Sequence, residues 1–163
     1  MGSYLRFAAM IAASTLAMYG LMYLNTFALE HVRFSQTRLW MALLMGAAMA
    51  SIMLAFMWRM YGNPRLNLAI LAVSGLVFGG ALWLVRSQET VGDVAYMKAM
   101  IPHHSIAIMT SERAHIRDPR VRRLANGIIA AQVREIGEMD ALVRDLERSP
   151  PPTDAPVLPA RRP

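Results

Sequence analysis

The sequence predicts an all-α protein in which three transmembrane helices precede a helical hairpin, and three observations indicate this class. The 163 residues are 55% hydrophobic with a mean hydropathy of +0.32, which is too apolar for an ordinary soluble domain. Three apolar runs in the first half are each long enough to cross a hydrocarbon core of about 30 Å. The second half changes to amphipathic patterns with helix start and stop signals.

The membrane region is predicted to occupy residues 1–86. Its apolar runs are residues 5–29, 39–61 and 66–85, and the charges inside them are Arg6 and Arg59. Backbone groups inside lipid must be satisfied within the segment, so each run is predicted to be a helix. The first run is too long for the apolar part of a cleaved signal peptide, and no clean small-x-small cleavage site follows it. We therefore interpret it as a transmembrane helix.

The net charge of +6 is concentrated beside the membrane. Residues 1–86 carry six arginines and one glutamate (+5), whereas residues 87–163 carry eleven basic and ten acidic side chains (+1). This distribution does not indicate a nucleic-acid-binding surface. Three arginines flank each side of the predicted spans, so the positive-inside rule does not assign an orientation. We expect a bacterial-type inner membrane protein with its C-terminal hairpin outside the cytoplasm.

The hairpin is predicted over residues 87–148. Asp93 is the expected N-cap of a helix reaching about Ile116, and Asp118 with Pro119 starts a second helix that reaches about Arg148. Each helix has an apolar stripe that needs a covering surface. A second copy of the hairpin would supply it as a four-helix bundle in a homo-oligomer, and packing on the membrane helices is the alternative. The proline-rich tail, residues 149–163, is expected to be disordered.

The segment MKAMIPHHSIAIM, residues 97–109, combines adjacent histidines with methionines. At 100° per residue, five side chains lie within about 40° of one line on the first helix: Asp93, Met97, Met100, His104 and His115. Pro102 is expected to kink the helix and turn His103 toward the same face. The second helix offers Gln132, Glu135 and Met139 beside its apolar stripe.

Thioether and imidazole without any cysteine favour Cu(I) or Ag(I). Zinc sites more often have cysteine or several histidines at ligand spacing. A di-iron site would need paired Glu-x-x-His motifs, and only Glu112 and His115 form one. The alternative is that the methionines simply fill the core. No organic cofactor is expected.

This segment resembles the signature of domain of unknown function 305, the CopM-like family. The resemblance covers about residues 89–147, from D93-VAYMKAMIPHHSIAIM to the Q132-x-x-E-I-x-x-M139 pattern. It implies a ferritin-like helical fold and copper or silver binding outside the cytoplasm. It also implies candidate metal ligands, namely Met97, Met100, His103, His104, Met109 and Met139. His115 is a further candidate because of its place on the same line of the first helix. Asp93, Gln132 and Glu135 are then supporting groups around the metal. The sequence departs from fuller members in having one short hairpin.

The second membrane run carries a methionine ridge with one residue every four positions: Met41, Met45, Met49, Met53 and Met57. One interpretation is a thioether relay for Cu(I), similar to three-helix copper transporters of the CTR type. The other is a flexible packing ridge.

Three functions follow from these patterns. The first is a membrane-anchored copper or silver binder, the second a methionine-lined copper transporter, and the third a non-catalytic membrane assembly subunit. The expected partners are the lipid bilayer, a metal ion and further copies of the chain, without nucleic acid. An enzyme is not expected, because the sequence shows no nucleophile–base pairing, phosphate loop or nucleotide fingerprint.

Overall fold

The computed structural model describes residues 2–152 and 154–160. This part of the chain is all-helical, and its five α-helices are α1 (Ser3–Leu21), α2 (Gln36–Phe56), α3 (Pro64–Ser87), α4 (Asp93–Arg113) and α5 (Pro119–Arg148). Short 3-10 helices lie at Leu29–His31 and Trp58–Met60. The predicted fold class is confirmed, since three apolar helices are followed by a helical hairpin.

The helices α1, α2 and α3 are each long and apolar enough to cross a membrane. Their central member is α2, which packs against both α1 and α3. Its buried positions are mostly small, so the neighbouring helices approach closely: Ala42, Gly46, Ala47, Ala50 and Leu54. The three helices together are called the membrane part below.

The first helix ends at Leu21, whereas the sequence predicted a helix to residue 29. The chain turns after Leu21, and the Thr26 hydroxyl donates to the Tyr23 carbonyl (3.0 Å). The Tyr23 hydroxyl in turn accepts from the Ser35 N–H (3.0 Å). Hydrogen bonds within this segment thus stop the helix even though the apolar run continues. Residues 22–35 are called the junction loop below.

The opposite end of the membrane part is closed by a buried amide. Asn67 is fully buried in the first turn of α3, accepts from the Tyr4 hydroxyl (2.9 Å) and donates to the Tyr61 carbonyl (3.0 Å). Phe7 and Leu54 pack in the same cluster as Tyr61. The N-terminus and the turn before α3 therefore share one end of the membrane part, and the junction loop lies at the other.

The C-terminal hairpin is formed by α4 and α5 around Ile101, Ile108 and Ile136. The predicted cap of α5 is present, because the Asp118 carboxylate accepts from the Arg120 N–H (2.7 Å). At α4 the N-cap is Gly92 rather than Asp93, which is instead the first helical residue. There its charge still favours the positive end of the helix dipole.

The hairpin docks on the junction loop through a buried serine. Ser105 is fully buried in α4, and its hydroxyl accepts from the Phe27 N–H (2.7 Å) and contacts His31 Nδ1 (2.9 Å). Arg33 adds an ion pair to Asp140 of α5 (3.2 Å). One face of the hairpin therefore packs on the membrane part, which was one of the two coverings that the sequence allowed.

The tail follows α5 without a further helix in its described residues, 149–152 and 154–160. Those residues are exposed, in keeping with their proline content. Four residues of the tail that was predicted to be disordered lie outside the described residues, namely 153 and 161–163. Residue 1 of the predicted membrane region lies outside them as well.

Candidate metal site

His104 is held between the two helices of the hairpin. Its Nδ1 lies 3.0 Å from the Met100 carbonyl oxygen, one turn back on α4, and its Nε2 lies 2.8 Å from Glu135 Oε2 on α5. A carbonyl can only accept a hydrogen bond, and an ionised carboxylate likewise only accepts. Both ring nitrogens of His104 therefore lie within hydrogen-bond distance of an oxygen atom.

This environment also suits a metal ligand. A metal-bound histidine commonly donates its second ring N–H to a backbone carbonyl, which fixes the ring and the tautomer. The contact of His104 Nδ1 with the Met100 carbonyl has that form. The Nε2 atom could then bind a cation if it lost its proton and the Glu135 carboxylate moved aside. The Glu135 side chain is 42% exposed, so space for that movement is available.

Two thioethers line a separate cleft between α4 and α5. Met97 of α4 and Met139 of α5 line a cleft of about 320 Å³, together with Asp93 at the start of α4. Met97 is buried, and Met139 also packs beside the isoleucine core of the hairpin. Met139 is one helical turn beyond Glu135. The structure therefore brings Asp93, Met97 and Met139 together in one cleft, of which Met139 is the residue nearest in sequence to Glu135, and both methionines also have packing roles.

His103 lines a different cleft. With Met100 it borders a space of about 220 Å³ where α4 meets the beginning of α2, and Arg38 lies on the opposite wall. Among the described residues, no carboxylate lines this cleft. Pro102 is buried within a continuous helix, and the rings of His103 and His104 are 6.0 Å apart between centroids. The two adjacent histidines thus face opposite electrostatic surroundings, and Arg38 disfavours a cation at His103.

Three further candidate residues of the predicted metal site are His115, Met109 and Gln132. The helix α4 ends at Arg113 rather than near Ile116, so His115 lies in the following exposed loop, and the helical alignment expected for it does not apply. Met109 is half-buried on α4, and Gln132 is half-buried on α5. Within the described residues, no three or more His, Asp or Glu side chains are grouped so that they could hold a metal. A site within one chain would therefore depend on thioethers.

The methionine ridge of α2 lies beside the buried face of that helix. Met53 and Met57 pack against the membrane cluster of Phe7 and Leu54. Met45 and Met49 are half-buried, and Met41 is exposed. The contacts of Met53 and Met57 show that these two residues of the ridge serve packing.

Sequence reasoning missed the junction between Ser105, Phe27 and His31. Its signals were a hydroxyl at the centre of the apolar stretch around Ser105 and a histidine just beyond the first apolar run. Neither signal indicates which partner is met, because the contact joins residues more than seventy positions apart.

The comparisons concern the C-terminal part of the chain. Residues 93–159 match the family model described as Domain of unknown function (DUF305), which confirms the resemblance at that level. An uncharacterized protein of Acanthamoeba polyphaga mimivirus is 39% identical over 64 residues, which are 38% of this chain and 42% of the viral protein. The alignment thus spans less than half the length of that relative. No solved structure matches the chain significantly.

Proposed function

We propose that this chain is a membrane-anchored binding protein for a soft monovalent cation, Cu(I) or Ag(I), in metal homeostasis or tolerance. The observation that supports it is the setting of His104, whose Nδ1 faces a backbone carbonyl while its Nε2 faces Glu135. Imidazole nitrogen and thioether sulfur are ligands suited to soft cations. The CopM-like resemblance of the hairpin is part of this proposal, as is a location of the hairpin outside the cytoplasm.

In this proposal the side chains have separate roles. His104 binds the cation through Nε2 after losing a proton there, and Met97 and Met139 add thioether ligands from the neighbouring cleft. The Glu135 carboxylate offsets the positive charge of the bound ion. Asp93 contributes a second negative charge at the rim of the same cleft. The chain binds its ligand and does not transform it.

The test is a competition assay with the full chain in nanodiscs against a chromophoric Cu(I) chelator. His104→Ala is expected to lower the Cu(I) affinity by at least about tenfold, since even a supporting residue is worth about 10- to 100-fold in metal affinity. The matched control is His103→Ala, which changes the adjacent residue of the same helix and should leave the affinity nearly unchanged. Equal effects of the two substitutions, or no effect of either, would contradict the proposal.

A second candidate function is a non-catalytic assembly subunit. It is favoured by the apolar side chains that α5 leaves exposed, among them Leu124 (65%) and Leu142 (52%). An assembly subunit would retain its partners when His104 is replaced and would not hold Cu(I) in the competition assay. The methionine-lined transporter is the third candidate, and its test concerns the whole molecule.

A further inference from the structure

The helix α5 carries an apolar stripe that its own chain leaves uncovered. Four side chains remain between about one third and two thirds exposed: Val121 (49%), Leu124 (65%), Ile128 (37%) and Leu142 (52%). At 100° per residue they lie with Glu135 within a sector of about 60°. Among the thirty described residues of α5, the buried ones are Ala125, Ile136 and Val143, on a neighbouring face. These four exposed residues are called the lateral stripe.

The other sides of α5 are already accounted for. Ile136 faces α4, and Asp140 pairs with Arg33 of the junction loop. Arg134 and Glu138 are both about two thirds exposed on the polar side. The residues of α4 from Tyr96 to Ser105 meet the junction loop and the start of α2. The lateral stripe is therefore a side of α5 that neither the isoleucine core nor the junction loop covers.

The charges of α5 indicate which molecule fits this stripe. The first half of the helix, residues 119–133, carries three arginines and no carboxylate (+3). The second half, residues 134–148, carries three arginines and five carboxylates (−2). Asp140 and Glu147 already pair within the chain, with Arg33 and Lys98, but Arg120 and Asp145 lie on one flank of the stripe near its two ends. A second copy of α5 in antiparallel orientation places each Arg120 opposite the partner's Asp145, whereas a parallel copy places Arg120 opposite Arg120. The stripe is thus complementary to itself, as an interface with two-fold symmetry requires.

We propose that two copies of this chain dock through the lateral stripe with their α5 helices antiparallel, and that the two His104–Glu135 pairs meet near the two-fold axis as one shared metal site. With Leu124 opposite the partner's Leu142, the axis passes residue 133, and Glu135 lies about 3 Å from it along the helix. Two copies supply four imidazole and carboxylate groups, whereas the described part of one chain groups fewer than three. The metal part of this inference rests on the proposed function, and the docking part does not.

Cysteine cross-linking tests the docking, because the chain has no cysteine of its own. Differently tagged copies with Leu124→Cys and Leu142→Cys are co-expressed in membranes and treated with a short bismaleimide. The mixed pair is expected to cross-link. Each variant alone is expected not to, because identical positions would lie about 27 Å apart along the antiparallel helices. Ala131→Cys, near the axis, is expected to cross-link with its own copy.

The matched control is Val133→Cys, at the same height on α5 but on the other side of the helix, where the side chain is 57% exposed. It is expected to cross-link several-fold less than Ala131→Cys. Cross-linking of Leu124→Cys and of Leu142→Cys each with itself would show parallel helices and overturn the proposal. Equal cross-linking at positions 131 and 133, or none at any position, would overturn it as well.

The metal arm measures Ag(I) bound per chain of the full protein in nanodiscs. One ion per two chains is expected, and Leu124→Arg combined with Ile128→Arg, both outside the cleft of Met97 and Met139, should abolish cross-linking at position 131 and lower the affinity at least tenfold. Unchanged affinity and one ion per chain in that variant would overturn the shared site. If cross-linking occurs as expected but no metal binds, the docking holds and the proposed metal-binding function fails.

Discussion

At the scale of single residues, the two adjacent histidines differ in what surrounds them. His104 faces the carboxylate of Glu135, whereas His103 shares a cleft with the guanidinium of Arg38. That guanidinium also lies over the Tyr23 ring, 4.3 Å from its centroid, and donates to the Met22 carbonyl. A positive charge in the cleft that His103 lines disfavours a cation there. Two neighbouring residues of one motif therefore lie in different surroundings.

The negative charge of Glu135 is proposed to support the bound Cu(I) ion. Glu135→Gln keeps the shape of the side chain and removes its negative charge, so the proposed Cu(I) site loses electrostatic support. We expect the Cu(I) affinity to fall by about 10- to 100-fold, the range measured for supporting residues around metals. Chelator competition measures it, and Glu138→Gln, one turn away and exposed, is the control. An affinity unchanged by Glu135→Gln would show that this carboxylate does not support the ion.

Gly46 permits the close approach of α1 and α2. A Cβ at this position would lie 2.3 Å from Thr15 Oγ1, far inside van der Waals contact. Gly46→Ala is therefore expected to destabilise the membrane part by about 1–3 kcal/mol, as overpacking does. Thermal unfolding in detergent measures the loss. Adding Thr15→Ala should restore stability, and Gly75→Ala, where a Cβ would meet nothing within 4 Å, should have little effect.

At the scale of helices, features set by neighbouring residues could be predicted from the sequence, whereas features set by long-range contacts could not. The cap of α5 was predictable because Asp118 and Pro119 act on the backbone directly beside them. The end of α1 was not, because the apolar run continues past Leu21 and the turn is stabilised by Ser35 and by the docked hairpin. Helix periodicity predicted which face of each helix carries His104 and Glu135. It could not predict the 2.8 Å distance between them, because the packing of α4 against α5 sets that distance. His103 lines a different cleft because the start of α2 packs there. The periodicity of one helix does not predict such a contact with a distant segment.

Ser105 couples the hairpin to the junction loop. The Ser105 hydroxyl is fully buried, accepts from the Phe27 N–H and contacts His31, so Ser105→Ala removes both interactions. An unsatisfied buried donor costs about 1–3 kcal/mol, so the docking should weaken by that amount. Hydrogen exchange at the Phe27 amide measures it and should accelerate. Thr110→Ala, an exposed hydroxyl that bonds only within α4, is the control and should leave that exchange unchanged.

The cap of α5 gives a prediction for acid conditions. The Arg120 side chain, and then its backbone N–H, hold the pKa of Asp118 below its usual value. A lowered folded-state pKa means that the stabilisation is complete above the usual carboxyl pKa and is lost as the pH falls through the lowered value. Amide protection at Arg122 should therefore decrease in acid. Asp118→Ala should reduce it at neutral pH on the order of fivefold, as loss of a cap does, and remove the acid dependence. An acid dependence that survived in this variant would contradict the assignment.

At the scale of the whole molecule, the membrane part and the hairpin are joined as one structure. The junction loop links them through Ser105 and Asp140, so the membrane helices position the hairpin as well as anchoring it. The N-terminal end of α1 and the hairpin lie at opposite ends of the three apolar helices, each of which is long enough to cross a membrane. An anchored hairpin held at one end of its own helices leaves the lateral stripe of α5 free for a partner. That arrangement suits a binding protein that acts at the membrane surface.

The methionine ridge distinguishes binding from transport. In the triple variant Met45→Leu, Met49→Leu and Met53→Leu, each side chain keeps nearly its volume, so folding should change by less than about 1.5 kcal/mol per site. Met53 packs against the buried membrane cluster, which leucine can also fill. If the chain is a binder, the triple variant should retain the wild-type Cu(I) affinity at the hairpin, and copper flux into sealed vesicles should be the same for both proteins. If flux above that of empty vesicles occurs with the wild type and is lost in the variant while the affinity is unchanged, thioethers carry the ion through the membrane part. The protein would then be a transporter rather than a binder.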